Sequence, residues 1–92
     1  MIKSFKYKGL KKFYETGSKQ GVQAQHAPKL RMQLAALDSA LELEDLDIPG
    51  YRLYELKGSR KGIWSISVNG NWRITFEFVD GNICIVNYED YH

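Results

Sequence analysis

Cysteine and long apolar runs are nearly absent from this sequence of 92 residues, and each absence excludes a class of protein. The single cysteine, Cys84, cannot form an internal disulfide and cannot make a metal site by itself, which fits a reducing compartment. No stretch approaches the ~20 apolar residues that a membrane span needs, and the first residues do not form a signal peptide. We therefore expect a cytoplasmic protein that does not contact a membrane.

The familiar signatures of catalysis and ligand binding are missing as well. The sequence has no glycine-rich phosphate loop, no HExxH, no CxxC and no Gly-x-Ser-x-Gly. Its two histidines, His26 and His92, lie too far apart in sequence to indicate a metal pair, and His26 is typical of a loop or a helix cap. We expect no metal and no other cofactor.

The charges present are segregated along the chain, although the net charge is only +2. Residues 1–19 carry six lysines and one acid, residues 38–55 carry six acids and one arginine, and residues 57–73 carry four basic residues and no acid. Such segregation can create a positive patch, which favours phosphate-rich partners. Solvated charged faces without any partner would give the same pattern.

Apolar spacing predicts two helices in the first half of the chain, after a short strand at "IKSF". Leu10, Phe13 and Tyr14 lie at i, i+3 and i+4, which predicts a helix over about residues 8–16 that ends at Gly17. Pro28 favours the start of the second helix. The apolar seam of that helix consists of Leu30, Leu34, Leu37 and Leu41.

From Tyr51 onward the apolar period changes to two, which is typical of strands. The four candidates are "YRLYEL", "IWSISV", "NWRITFEF" and "ICIVNY". Short turns between neighbouring strands indicate an antiparallel meander. The predicted fold class is α+β: two N-terminal helices packed on a curled, mainly antiparallel sheet of four to five strands, in a single domain over residues 1–92.

Strand pairing follows from the turn at Asp80 and Gly81. A two-residue hairpin there predicts the pairs Val79–Asn82, Phe78–Ile83, Phe76–Ile85 and Ile74–Asn87. The same register sets Arg73 opposite Tyr88 and carries Asp90 and His92 to the Arg73 side of the sheet.

A second expectation concerns the turn before this hairpin. Trp64, Ile66 and Val68 should face the core, but a plain two-residue turn at Asn69 would put them on the opposite face. We therefore expect an odd-length loop or a β-bulge at residues 69–71.

Seven residues that suit RNA chemistry converge on one side of the predicted sheet: Lys57, Arg60, Arg73, Tyr88, Asp90, Tyr91 and His92. In RNA cleavage without a metal, the ribose 2′-hydroxyl attacks the adjacent phosphate, so the reaction needs a base, an acid and cations. Histidine carries protons near neutral pH, arginine binds phosphate through two bonds, and aromatic rings stack on bases. The same spacing also fits an Arg73 paired with Glu77 or Tyr88 on the strand surface.

These residues lie in motifs that resemble the HigB toxins of bacterial toxin–antitoxin pairs, within the RelE superfamily. The resemblance spans the whole chain and is most specific at "LKGSRKGIWSI", "NWRITF" and the terminal "DYH". It implies a microbial ribonuclease-like fold and a metal-independent, ribosome-dependent endonuclease that cuts mRNA in the A site of the small ribosomal subunit. It also implies a helix-turn-helix antitoxin of the HigA type, which neutralises the toxin and binds the operator DNA of their shared operon.

The resemblance also assigns roles to individual residues. The positions that match the catalytic residues of the family are Lys57, Arg73, Asp90, Tyr91 and His92. RNA and phosphate binding falls to Arg60 and Lys61, together with Lys57 and Arg73.

Tyr54 departs from the family pattern, because some HigB toxins carry a histidine three residues before this lysine. Either Tyr54 replaces that histidine as a hydrogen-bonding or weakly acidic group, or the chemistry depends on His92 with Tyr91 and Asp90. Tyrosine is a poor base at neutral pH. One alternative is therefore a module that inhibits translation by binding the ribosome or RNA without cleavage. A free ribonuclease that acts on naked RNA is disfavoured by the lack of paired histidines.

Overall fold

A four-stranded antiparallel sheet packs against two helices, which confirms the predicted α+β class. The computed structural model describes residues 1–90. The helices are α1 (Lys8–Thr16) and α2 (Ala27–Ser39), and the strands, in the order in which they pair, are β1 (Tyr54–Glu55), β2 (Trp64–Asn69), β3 (Trp72–Val79) and β4 (Asn82–Asp90). Short 3-10 turns lie at Ala24–His26, Leu43–Leu46 and Gly58–Arg60.

The N-terminal segment lies along the outer edge of β4. Its residues Ile2 and Phe5 form isolated parallel bridges with Ile83 and Val86 instead of the regular strand predicted for "IKSF". The Lys3 N–H donates to the Ile83 carbonyl at 2.8 Å. This pairing covers part of an edge that would otherwise expose unpaired backbone groups.

The core lies between the helices and one face of the sheet. Leu10 and Phe13 of α1 are buried there as predicted, as are three leucines of α2: Leu30, Leu34 and Leu37. The fourth predicted seam residue, Leu41, is 79% exposed, because α2 ends at Ser39 and the backbone continues in extended form at Ala40. Tyr14 also remains exposed and packs against Phe5 instead.

The predicted irregularity between β2 and β3 is confirmed. The register shifts between Ser67 and Asn69, and the turn itself consists of residues 70 and 71. As a result, Ile66 and Val68 are buried in the core, as expected from their apolar character. The fully buried Gln33 of α2 donates from Nε2 to the Ser67 carbonyl at 2.7 Å, so a side chain satisfies a backbone group at the bulge.

The predicted register of β3 and β4 is right near the turn and wrong beyond it. The pairs Phe78–Ile83 and Val79–Asn82 are confirmed. Glu77–Cys84 also follows the predicted register. The register then shifts between Glu77 and Thr75, and the pairs beyond this point are Thr75–Asn87, Ile74–Tyr88 and Arg73–Glu89 instead of those predicted.

The cause of this shift is an extra residue in β4. Ile85 has a φ of 46°, a conformation that β-branched residues rarely adopt, and its side chain is exposed instead of facing the core. Val86 takes the buried position. The Ser4 hydroxyl accepts the Ile85 N–H at 2.8 Å, so the bulge is held from the N-terminal segment.

Replacing Gln33 by glutamate should destabilise the fold, because a carboxylate cannot donate to the Ser67 carbonyl. We expect the free energy of unfolding at neutral pH to fall by about 1–3 kcal/mol, measured by urea denaturation. Met32→Glu is the matched control, since Met32 is the neighbouring residue and is 66% exposed; it should change stability by about 0.5 kcal/mol or less. Equal stability of the two variants would contradict this role of Gln33.

Candidate active site

The candidate site lies on the sheet face that points away from the helices, which we call the polar face. Strand pairing places Tyr54, Ser65, Thr75 and Asn87 in one row across the four strands. The next row contains Ser67, Arg73 and Glu89. Polar side chains on four strands are therefore held next to one another by the backbone ladder.

Glu89 is the centre of a hydrogen-bond cluster on this face. Arg60 donates from Nη1 and Nη2 to the two Glu89 carboxylate oxygens, each at 2.9 Å. The Thr75 hydroxyl donates to Oε2 at 2.9 Å, and the Asn87 amide donates to the same oxygen at 3.1 Å. A carboxylate with a two-point arginine and two further donors is held in one orientation.

This environment favours the charged form of the carboxyl. The hydrogen bonds from Arg60 hold the pKa of Glu89 below its usual value; burial opposes them, while Thr75 and the charge of Arg60 add to them. Glu89 is consequently ionised at neutral pH, and its negative charge neutralises the guanidinium that it binds.

Arg73 lies beside this cluster and packs on an aromatic ring. Its guanidinium carbon is 5.0 Å from the centre of the Tyr54 ring, a cation–π distance. Both side chains are half-buried. Tyr54 and Arg73 are therefore neighbours, and the contact restricts the directions in which Arg73 can point.

The basic loop after β1 reaches the same face. The 3-10 turn Gly58–Arg60 follows Lys57, and the ion pair with Glu89 connects the loop to β4 on the far side of the sheet. Lys57 and Lys61 are exposed and line an open cavity of about 350 Å³. The loop therefore presents two lysines to solvent while Arg60 fixes its position.

Two predicted members of the constellation lie elsewhere. Tyr88 pairs with Ile74 and is buried on the core side, and Asp90 pairs with Trp72 on that same side, because the extra residue at Ile85 reverses the phase of β4. The prediction that Tyr88 and Asp90 share a face with Arg73 is therefore wrong. The predicted residues Tyr91 and His92 lie outside the described residues.

Tyr88 instead forms a buried pair with His26. The Tyr88 hydroxyl lies 2.6 Å from His26 Nδ1, and it also accepts the Gln23 N–H at 3.3 Å. Burial raises the pKa of Tyr88 and lowers the pKa of His26, so both side chains are neutral at neutral pH. His26 stands at the N-cap position of α2, but its side chain bonds Tyr88 and does not cap the helix.

Glu89 is the site residue that sequence reasoning missed. The predicted register gave the place opposite Arg73 to Tyr88, and the structure gives it to Glu89. One signal could have found it: Val86 and Tyr88 are large apolar residues in phase with each other, which would leave Asn87 and Glu89 on the polar face.

The described part of the chain contains neither a metal-binding group of side chains nor a helix that could span a membrane. Within residues 1–90, no group of three His, Cys, Asp or Glu side chains is placed to hold a metal ion. None of the helices in that range has the length and apolar character needed to cross a bilayer.

Replacing Glu89 by glutamine should reduce stability in a pH-dependent manner. Because the folded-state pKa is depressed, ionised Glu89 contributes its stability above the unfolded pKa of about 4.3, and this contribution is lost as the pH falls through the folded value. In urea denaturation, wild type should be more stable than Glu89→Gln at neutral pH, and the difference should shrink below about pH 4.

Glu77→Gln is the matched control for this experiment. Glu77 is a half-buried glutamate on the same face of the same hairpin, and it lies outside the Arg60 cluster. Because this substitution leaves the Arg60–Glu89 pair in place, the variant should keep the pH-dependent stability that Glu89 contributes. A difference for Glu89→Gln that stays constant with pH would contradict the role of the carboxylate charge.

Comparison with known sequences identifies the family. The family model for the RelE-like toxin of the type II toxin–antitoxin system HigB matches residues 3–92. The chain is 52% identical over 92 residues to the endoribonuclease HigB of Proteus vulgaris, with 100% of both sequences covered. It is 37% identical over 94 residues to toxin HigB-1 of Vibrio cholerae, with 100% of this chain and 98% of that toxin covered.

Solved structures show the same fold at low sequence identity. The match to a chain of the YoeB–YefM complex from Staphylococcus aureus has a TM-score of 0.63 at 17% identity, and it covers 100% of this chain and 98% of that chain. The match to YafQ from E. coli strain BL21(DE3) has a TM-score of 0.57 at 16% identity, and it covers 98% of this chain and 93% of YafQ. Since the family model spans nearly the whole sequence and two relatives match its full length, this chain belongs to the HigB-like family of RelE-like toxins of type II toxin–antitoxin systems.

Proposed function

We propose that this toxin is a metal-independent endoribonuclease that cleaves mRNA in the ribosomal A site and so inhibits translation in the cytoplasm. The observation that carries the proposal is the polar face, which presents Arg73 on the Tyr54 ring, while the exposed Lys57 lies on the loop that Arg60 connects to Glu89; Arg73 and Lys57 provide its cationic surface. The name of the Proteus vulgaris relative, an endoribonuclease at 52% identity, supports it.

The reaction suits groups of this kind. The ribose 2′-oxygen forms a bond to phosphorus, the bond from phosphorus to the 5′-oxygen breaks, and a cyclic phosphate and a free 5′-hydroxyl result. One group removes the 2′-proton, another gives a proton to the 5′-oxygen, and cations stabilise the negative charge of the phosphorane. The cationic surface supplies the last of these needs.

Arg73 and Lys57 hold the scissile phosphate in this proposal. Arg73 is half-buried and is restrained by the Tyr54 ring, so its direction toward a phosphate oxygen is set in advance. Lys57 supplies a mobile point charge from the exposed loop, and Lys61 extends the positive surface along the RNA backbone. Arg60, bound to Glu89, acts mainly by keeping that loop in place.

Proton transfer falls to the end of the chain. His92 serves as general acid or base, because histidine titrates nearest to neutral pH. Tyr91 stacks on or positions a nucleotide, and Asp90, which lies on the Trp72 side of β4, acts by orienting its neighbours. Tyr54 contributes through its contact with Arg73, a role that requires no proton transfer.

The partners follow from the family and from what the chain lacks. A toxin of a type II system has a cognate antitoxin, and we propose a helix-turn-helix protein of the HigA type that also links the toxin to operator DNA. Because paired histidines are lacking, we propose that the ribosome aligns the mRNA for cleavage.

Arg73→Gln should reduce mRNA cleavage about 100- to 1,000-fold, because it removes a cation from the developing phosphorane charge. The measurement is primer extension on mRNA from translating ribosomes. Arg31→Gln is the control, since Arg31 lies on α2 with its guanidinium 5.5 Å from the Phe13 ring, away from the polar face; it should cleave like wild type. Wild-type cleavage by Arg73→Gln would overturn the assignment.

A second substitution separates cleavage from inhibition by occupancy, the alternative that Tyr54 in place of histidine suggests. His92→Gln should abolish new mRNA 5′-ends and relieve growth arrest together, since it removes the proton carrier and retains a similar shape. Full growth arrest by the folded variant without new RNA ends would favour a module that blocks translation by binding alone.

A further inference from the structure

A cavity of about 320 Å³ opens beside the start of β3 and the end of β4, on the helix side of the sheet. Three aromatic side chains, Tyr7, Trp72 and Tyr88, line it together with Gln20, Gly21 and Gln23. Its volume is at the lower end of the ~300–1,000 Å³ that is typical of small-molecule sites. Nothing in the cleavage reaction described above uses these residues.

Tyr88 stacks with both of the other rings. Trp72 and Tyr88 have ring centres 4.6 Å apart and planes inclined by 29°, and Tyr7 lies 6.4 Å from Tyr88 at 28°. Tyr88 is buried, whereas Trp72 is half-buried and Tyr7 is 37% exposed. The stack thus presents accessible aromatic surface at Tyr7 and Trp72, supported by a buried ring.

The stack is rigid because its polar groups are satisfied from within the fold. The Tyr88 hydroxyl is fixed by His26 and by the Gln23 backbone, and the Tyr7 hydroxyl donates to the Gly21 carbonyl at 2.7 Å. Gly21 packs directly on Gly9, so closely that a Cβ on Gly21 would lie 2.5 Å from the Gly9 Cα. Only a glycine at position 21 lets the 20–23 segment close on Tyr7 in this way.

The surroundings of the cavity are basic and adjoin the active site. Lys6 and Lys8 flank Tyr7 in sequence and are exposed, and the Lys12 ammonium lies 3.5 Å from the Gln20 side-chain oxygen. Trp72 immediately precedes Arg73 and pairs with Asp90. A nucleotide chain that crosses Arg73 can therefore reach the cavity over the end of the sheet.

We propose that this cavity receives a nucleobase of the RNA, next to the phosphate held by Arg73; the inference rests on the proposed function and names a further part of its substrate site. A base stacks on the exposed faces of Tyr7 and Trp72, the Gln20 and Gln23 amides bond its edge, and the lysines contact the flanking phosphates. An apolar peptide would use the rings but neither the amides nor the lysines.

A second cavity provides a comparison. It is larger, at about 420 Å³, and it is lined by Tyr14 and Phe5 with Lys3, Lys11 and Glu15. Its two rings are tilted at 40° rather than stacked, and the carboxylate of Glu15 repels phosphate. Tyr14, which is 38% exposed, is therefore a matched control for Tyr7.

The test uses Trp72 as its own reporter in full-length toxin carrying Trp64→Phe, which removes the other tryptophan. The probes are a 2′-O-methyl RNA trinucleotide, which cannot be cleaved, and the same backbone with its bases removed, each titrated to millimolar concentration. We expect the trinucleotide to quench Trp72 fluorescence and the abasic backbone to leave it unchanged. Equal quenching by both probes, or none by either, would overturn the proposal.

Variants then separate stacking from folding. Tyr7→Ala should weaken trinucleotide binding about 5-fold or more, because it removes a stacking face. Tyr7→Phe keeps the ring and should bind more tightly than Tyr7→Ala, whereas Tyr14→Ala should bind like wild type. Tyr7→Ala and Tyr14→Ala with equal affinities would contradict the assignment. So would a Tyr7→Ala toxin that keeps RNA affinity but escapes its antitoxin, a result that would assign the surface to a protein partner.

The outcome is distinguishable from a failure of the proposed function. Loss of the fluorescence response in a toxin that still cleaves mRNA on ribosomes would reject the nucleobase site alone. A normal fluorescence response in a toxin that does not cleave would instead leave base binding in place and reject the nuclease.

Discussion

The left-handed backbone at Ile85 controls which side chains of β4 reach the polar face. A β-branched residue with a φ of 46° is strained, and such conformations cost of order 1–3 kcal/mol, so the surrounding structure must stabilise it. The Ser4 hydroxyl and the N-terminal bridges provide that support. Beyond the bulge, Tyr88 turns into the core and Glu89 turns toward Arg73. Both the polar face and the aromatic stack depend on this one residue.

Glu89 reduces the positive charge of the polar face. Its carboxylate binds Arg60 through two bonds and so neutralises one cation among several. The same carboxylate connects the loop after β1 with β3 and β4, because Arg60, Thr75 and Asn87 all donate hydrogen bonds to it. Arg73 lies in the adjacent position, packed on Tyr54, and is the residue for which we propose contact with a phosphate.

Much of the fold could be predicted from the sequence because the apolar period is clear in the helices and in β2 and β3. The bulge before β3 was predictable, since Trp64, Ile66 and Val68 alternate strictly and had to reach the core. The bulge in β4 was not, because Ile83, Cys84, Ile85 and Val86 are four consecutive apolar residues, and such a run does not reveal its phase. The site prediction was likewise right only in part. Arg60 and Arg73 lie on one face as expected, with Tyr54 packed on Arg73, whereas Tyr88 and Asp90 lie on the other face.

The bridges between the N-terminal segment and β4 also constrain the order of folding. Ile2 pairs with Ile83, so these first residues have no partner until about eighty more have been added to the growing chain. Contacts of such long sequence separation form late, because the entropy of closing the loop must be overcome first. Since the same segment holds the bulge that orients Glu89, a partly synthesised chain lacks the arranged polar face. The polar face is therefore complete only after nearly the whole chain has been synthesised.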